Sequence, residues 1–109
     1  MWTPDIRVGT ELPPLKLPLR SGQVPSSAQD VQLTLLSTMA LVENYVTGWA
    51  GTDAFIRGMN VKLGLPAHAG DLLTFTGTVT LSTPEVVAVE VRARLAEGIH
   101  ATGTVRLSW

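Results

Sequence analysis

The sequence predicts an α+β fold: one long helix covered by a twisted antiparallel sheet. Three observations predict it. The first 25 residues contain five prolines, at 4, 13, 14, 18 and 25. Residues 28–46 carry the apolar spacing of a helix. From residue 59 onward four stretches alternate apolar and polar side chains, joined by connectors too short to hold crossover helices.

The proline-rich start excludes a helix or a central strand, because proline lacks an N–H and fixes φ. Within it Leu15, Leu17 and Leu19 alternate with Lys16, Pro18 and Arg20, which reads as a short edge strand. Residues 21–25, Ser-Gly-Gln-Val-Pro, read as a turn. Ser26-Ser27-Ala28-Gln29 then offers a capping box, a serine hydroxyl for an orphan N–H with Gln29 reaching back. Val31, Leu35, Met39, Val42 and Val46 fall on one helical face, and Leu33, Leu36, Ala40 and Leu41 make much of the remainder apolar. A helix apolar nearly all round is surrounded by protein. Gly48 is the expected stop, since glycine takes the left-handed C′ conformation. Helix 28–46 would run for ~28 Å, and residues 49–53 form a loop.

The four strands follow. Met59, Val61, Leu63 and Leu65 make one apolar face; Leu73, Phe75, Gly77, Val79 and Leu81 the next; then Val87, Val89, Val91, Ala93 and Leu95; and last Ala101, Gly103, Val105 and Leu107. The connectors 66–71, 83–85 and 97–98 carry turn chemistry, so each strand is expected to form a hairpin with the next. The only cover for this apolar face is the helix. A twisted sheet wrapped around one central helix is the hotdog fold. Such subunits usually pair side by side, and a helix this apolar asks for a second subunit, identical or not.

At 109 residues the chain has the length of one domain, spanning 1–109. Charged residues are only 16% against 45% hydrophobic, which argues against disorder and for an apolar surface covered by a partner. Eight Lys and Arg stand singly among nine Asp and Glu, with no basic run to neutralise nucleic-acid phosphates. The absence of cysteine removes disulfides, zinc–thiolate sites and thiol nucleophiles, and no metal is expected. No apolar run reaches the length of a membrane span. The start lacks the blocks of a signal peptide, so a cytoplasmic location is expected.

Two stretches carry a resemblance. Val61-Lys62-Leu63-Gly64-Leu65-Pro66, leading through Gly70-Asp71 into the Thr-rich run 72–80, resembles the MaoC-like acyl dehydratase and hydratase group of hotdog proteins. Tyr45-Val46-Thr47-Gly48-Trp49-Ala50-Gly51 is similar to the small subunit of two-component enoyl-CoA hydratases that act on steroid side-chain thioesters. The resemblance covers residues 36–108. It implies an acyl-CoA or other acyl thioester as substrate, with no cofactor.

The departure from that group is equally informative. Its catalytic members carry, between the first strand and the helix, an aspartate followed five residues later by a histidine. Together these activate a water that adds across an α,β-unsaturated thioester, which requires an acid–base pair within reach of one water. Here that place holds only residues 20–25. The two histidines, His68 and His100, are preceded at five residues by Leu63 and Leu95. The resemblance therefore implies a scaffold subunit, with a second hotdog chain supplying the pair.

If the chain were an enzyme by itself, the catalytic candidates would be Glu43, Tyr45 and His68. Glu43 is one of two charges on the helix, suited to act as a base if buried or to point to solvent if not. Tyr45, Trp49, Phe55 and Met59 are candidates for lining an acyl pocket, with core or interface packing as the alternative. His68 has only Asp71 near it as an acidic partner, and Asp71 is expected to cap its own turn. Asp53 is expected to turn the chain after Gly51. His100 is expected on the solvated face of the last strand, and Arg92 and Arg94 are expected to pair with Glu90 or to meet a phosphate. Three functions fit these residues: a hydratase subunit shaping an acyl tunnel, a stand-alone homodimeric hotdog enzyme such as a thioesterase or dehydratase, and a binding or assembly module without chemistry.

Overall fold

A computed structural model of the chain describes residues 6–19, 34–68 and 70–109. The element order is β1 (Glu11–Pro18), α1 (Leu35–Ala50), β2 (Phe55–Leu63), β3 (Leu72–Ser82), β4 (Val87–Leu95) and β5 (Gly98–Ser108). The five strands form one antiparallel sheet in the order β1-β3-β4-β5-β2, with α1 packed across it.

β1 is an edge strand, as its prolines require. It begins at Glu11, earlier than the leucine alternation suggested, and its register against β3 shifts between Leu12 and Leu15, so Pro13 and Pro14 sit at a bulge. The turn expected at 21–25 and the capping box at 26–29 lie outside the described residues.

The helix differs from the expectation at both ends. Thr34 is extended (φ −77°, ψ 167°), and its side chain accepts from the Ser37 N–H, so the helix starts at Leu35. It runs through Gly48 and stops at Gly51, whose φ of 96° is the left-handed conformation expected three residues earlier. The Trp109 indole N–H donates to the Ala50 carbonyl and satisfies one of the last helical acceptors. The buried face is Thr38, Val42, Tyr45 and Val46. Leu35 and Ala40 are exposed, and so is Leu36, at 78%, so this chain alone does not surround its helix.

The central strands follow the expected alternation. Leu73, Phe75, Val79, Val87, Val89, Val91, Ala93, Ala101, Val105 and Leu107 are buried and form the core with the helix face. Leu81 is exposed, because the β3–β4 register shifts between Val79 and Leu81 and ends the alternation early. β3–β4 and β4–β5 are the hairpins predicted. At the first of these turns the Thr83 hydroxyl accepts from the Glu85 and Val86 N–H groups.

β2 corrects the hairpin expectation. It starts at Phe55 and pairs with β5, from Phe55↔Ser108 to Leu63↔Ala101, and not with β3. Once β4 lies between β3 and β5, the outer side of β5 is left for β2 and the outer side of β3 for β1. The connector 64–71 must then cross two intervening strands, about 14 Å at ~4.8 Å per spacing, which eight residues at ~3.3 Å each readily reach. It begins on β5, with the Gly64 and Leu65 N–H groups donating to the His100 and Ile99 carbonyls. It ends beside β1, where the Gly70 N–H donates to the Leu19 carbonyl.

Candidate functional site

Tyr45 projects from α1 onto the β1–β3 side of the sheet. Its ring lies 5.5 Å from that of Phe75, tilted by 31°. Its hydroxyl donates to the Pro13 carbonyl at 2.9 Å, a group left outside the ladder by the β1 bulge. Gly77 makes room for it: a Cβ there would stand 3.2 Å from Leu12, 3.3 Å from Val89 and 3.4 Å from the Tyr45 ring. Burial raises the phenol's pKa above its ordinary value.

Glu43, two residues earlier, faces away from this core and is exposed. Its carbonyl accepts from the Thr47 hydroxyl at 2.8 Å. Trp49 is half-buried against the core at the helix end. Met59 is half-buried on β2, while Phe55, the first residue of that strand, is 63% exposed. Tyr45 and the pair Phe55 and Met59 thus stand toward opposite edges of the sheet. His68 lies in the connector, where its N–H donates to Asp71 Oδ2 at 2.9 Å and its ring Nδ1 lies 3.8 Å from the same oxygen. Asp71 closes the turn as expected. Asp53 sits in the turn after Gly51, and Arg92 pairs with Glu90 at 3.0 Å.

His100 overturns its expectation. It is 1% exposed, and its ring joins three elements. Nδ1 lies 2.6 Å from the Leu65 carbonyl, which can only accept, so Nδ1 carries the proton. In the neutral ring Nε2 then accepts from the Thr38 hydroxyl, 2.9 Å away on α1. The cause is a register shift: Arg94 pairs with Ile99 but Ala93 pairs with Ala101, so His100 is the extra residue of a β-bulge and turns inward. The signal was present in the sequence. Counting back from the apolar residues of β5 puts His100 outside, whereas counting from the turn puts it opposite Ala93, inside. Two counts that disagree mark a bulge between them.

No model of a protein family matches the chain. A curated relative does: the 3-oxo-4,17-pregnadiene-20-carboxyl-CoA hydratase beta subunit of Mycobacterium tuberculosis is 38% identical over 89 residues, 82% of this chain and 69% of that protein. The chain belongs to this hydratase beta-subunit family. The ChsH1-ChsH2 complex from M. tuberculosis contains a chain that superposes with a TM-score of 0.87 at 32% identity, covering 94% of this chain and 97% of that one. The (R)-hydratase from A. caviae involved in PHA biosynthesis gives a TM-score of 0.82 at 14% identity, covering 97% and 98%, which speaks for the fold alone. The chain has the hotdog fold, as its single helix and its strand order show. No helix among the described residues is long and apolar enough to cross a membrane.

Proposed function

We propose that the chain is the non-catalytic subunit of a heteromeric acyl-CoA hydratase. A second hotdog chain carries the Asp/His pair, and this chain completes the joined sheet and one wall of the acyl tunnel. The observation that carries the reading is a missing pair in a hydratase-family member. The sequence is 38% identical to a hydratase beta subunit, yet neither of its histidines follows an aspartate at five residues. In such an assembly the partner's pair activates the water. The water oxygen bonds to the β-carbon of the enoyl thioester and a proton reaches the α-carbon. This chain moves no proton and shapes the space for the acyl group.

Two features of the surface support a partner. The free edges of the sheet differ. β1 is interrupted by Pro13, Pro14 and Pro18, whereas β2 contains no proline and keeps its outward backbone groups available for a further strand. Large apolar side chains also remain exposed at the end where His100 ties α1 to the connector: Leu35 and Leu36 on the helix, Leu63 at the end of β2, Leu65 in the connector, and Ile99 on β5. In this reading Trp49, Phe55 and Met59 line the tunnel from this side, and Tyr45 holds the helix in place behind them. The substrate is the acyl thioester, with no cofactor.

The test is activity by subunit. The chain is expressed alone and with a hotdog chain bearing the Asp/His pair, and hydration is followed by loss of enoyl-thioester absorbance. Co-purification and activity only of the pair are expected. Hydration by the isolated chain would overturn the reading. Loss of that activity in Glu43→Gln would then point to a stand-alone enzyme.

A further inference from the structure

The eight Lys and Arg residues stand singly in the sequence, but strand register gathers five of them on the outer face of the sheet, away from α1: Arg106, level with Ala88, and four more in two adjacent rows. Cross-strand partners point to the same side, so Lys16, Thr74 and Arg94 form one row across β1, β3 and β4. Thr76, Arg92, Thr102 and Lys62 form the next, across β3, β4, β5 and β2. In each row a threonine hydroxyl stands between two cations: Thr74 between Lys16 and Arg94, and Thr102 between Arg92 and Lys62. Flanking cations are rooted about 10 Å apart, and Arg92 and Arg94 about 7 Å apart along β4. The four cationic side chains of the two rows are exposed.

The face is not flat. One depression of about 440 Å³ is bordered by Thr76, Arg92 and Arg94 and, on its other side, by the Glu11 carboxylate; a second of about 370 Å³ is bordered by Lys62, Arg92 and Thr102. Arg92 and Glu90 border both, with the Glu90 carboxylate 3.0 Å from the Arg92 guanidinium.

We propose that this face binds a small anion bearing two phosphate groups, one seated on each row. The chemistry of each row suits a phosphate. A guanidinium offers a fork of N–H donors to its oxygens, the lysine ammonium adds a point charge, and the threonine hydroxyl between them donates one more bond. The spacing of Arg92 and Arg94 sets the separation of the two groups. Glu90 holds Arg92 in place and competes with the ligand for it. The site lies on the side of the sheet away from the helix and does not depend on the acyl chemistry proposed above.

Titration calorimetry on the full chain at low salt tests this, with inorganic tripolyphosphate, orthophosphate and octaglutamate as probes. Tripolyphosphate is expected to bind once per chain, at least ~10-fold more tightly than orthophosphate, because it reaches both rows. The double change Arg92→Gln with Arg94→Gln is expected to weaken it at least ~10-fold, and Thr102→Val by about 3-fold. Glu90→Gln removes the competing carboxylate and is expected to tighten binding, which a merely structural ion pair would not do. Lys16→Gln with Lys62→Gln repeats the test at the flanks should the arginine variant fail to fold. No binding of tripolyphosphate, equal binding in both double variants, or octaglutamate binding as tight as tripolyphosphate would overturn the proposal.

Discussion

At the scale of single residues, His100 and Tyr45 both join the layers through a polar atom. Removing the Thr38 hydroxyl leaves the buried His100 Nε2 without its donor, and removing the imidazole leaves both the hydroxyl and the Leu65 carbonyl short of a partner. Thr38→Val is expected to cost about 1–3 kcal/mol and His100→Ala about 2–4 kcal/mol. Because the residues share one bond, the double variant should cost less than the sum by ~0.5–2 kcal/mol in urea unfolding; strict additivity would show that the contact contributes nothing. Tyr45 makes a pH prediction. Burial raises its pKa above 10.0, so the neutral phenol is favoured in the folded state. The stabilisation is complete below the unfolded pKa and is lost as pH rises through the folded one. Urea midpoints should therefore fall above about pH 10, and Tyr45→Phe, costing about 1 kcal/mol at neutral pH, should show a smaller alkaline fall. An equal fall in both proteins would remove Tyr45 as the source.

At the scale of elements, two glycines give opposite forecasts. Gly48 lies inside α1, and a methyl group added there would meet nothing within 4 Å, so Gly48→Ala should stabilise by about 0.5–1 kcal/mol. Had the helix ended at Gly48, the same change would destabilise, so thermal unfolding checks the helix boundary. Gly103 is the reverse: a Cβ there would sit 2.5 Å from the Asn60 carbonyl of β2. Gly103→Val should push β2 away from β5 and cost ~2 kcal/mol or more. These positions also show what the sequence made legible. The buried faces of β3, β4 and β5 were readable because alternation and short connectors leave little freedom. So was the edge position of β1, from its prolines. The helix end was not, because Gly48 and Gly51 both satisfy the local chemistry and the contacts of Trp49 and Trp109 decide between them. The partner of β2 was hidden because a connector of eight residues can close a hairpin or cross a sheet. His100 was hidden by its bulge, and the cationic rows because cross-strand register is not written in linear spacing. The candidate pocket was legible only as a list of residue types: Tyr45 proved to be core, while Phe55 and Met59 lie toward the other edge.

At the scale of the whole molecule, the exposed apolar residues set the forecast. Leu36 is 78% exposed on α1, so Leu36→Glu should change the stability of the isolated chain by no more than about 0.5 kcal/mol. If that end of the helix meets a second hotdog subunit, the same change should weaken co-purification by at least ~10-fold, since a charge buried without a partner is costly. A variant that assembled normally would move the interface elsewhere.

The strand order has a consequence for how the chain reaches this shape. β3, β4 and β5 are consecutive and can zip together through two tight turns, while β1 and β2 must each find a strand far along the sequence. Such distant closures are slow because the loop must be ordered before any contact rewards it. The central meander should therefore form first, with substitutions such as Val89→Ala slowing folding and Met59→Ala chiefly speeding unfolding in stopped-flow experiments. Until β2 arrives, both sides of the meander are unpaired edges. The interval before β2 docks is then the period of greatest exposure to aggregation, and a partner subunit that engaged β2 early would shorten it.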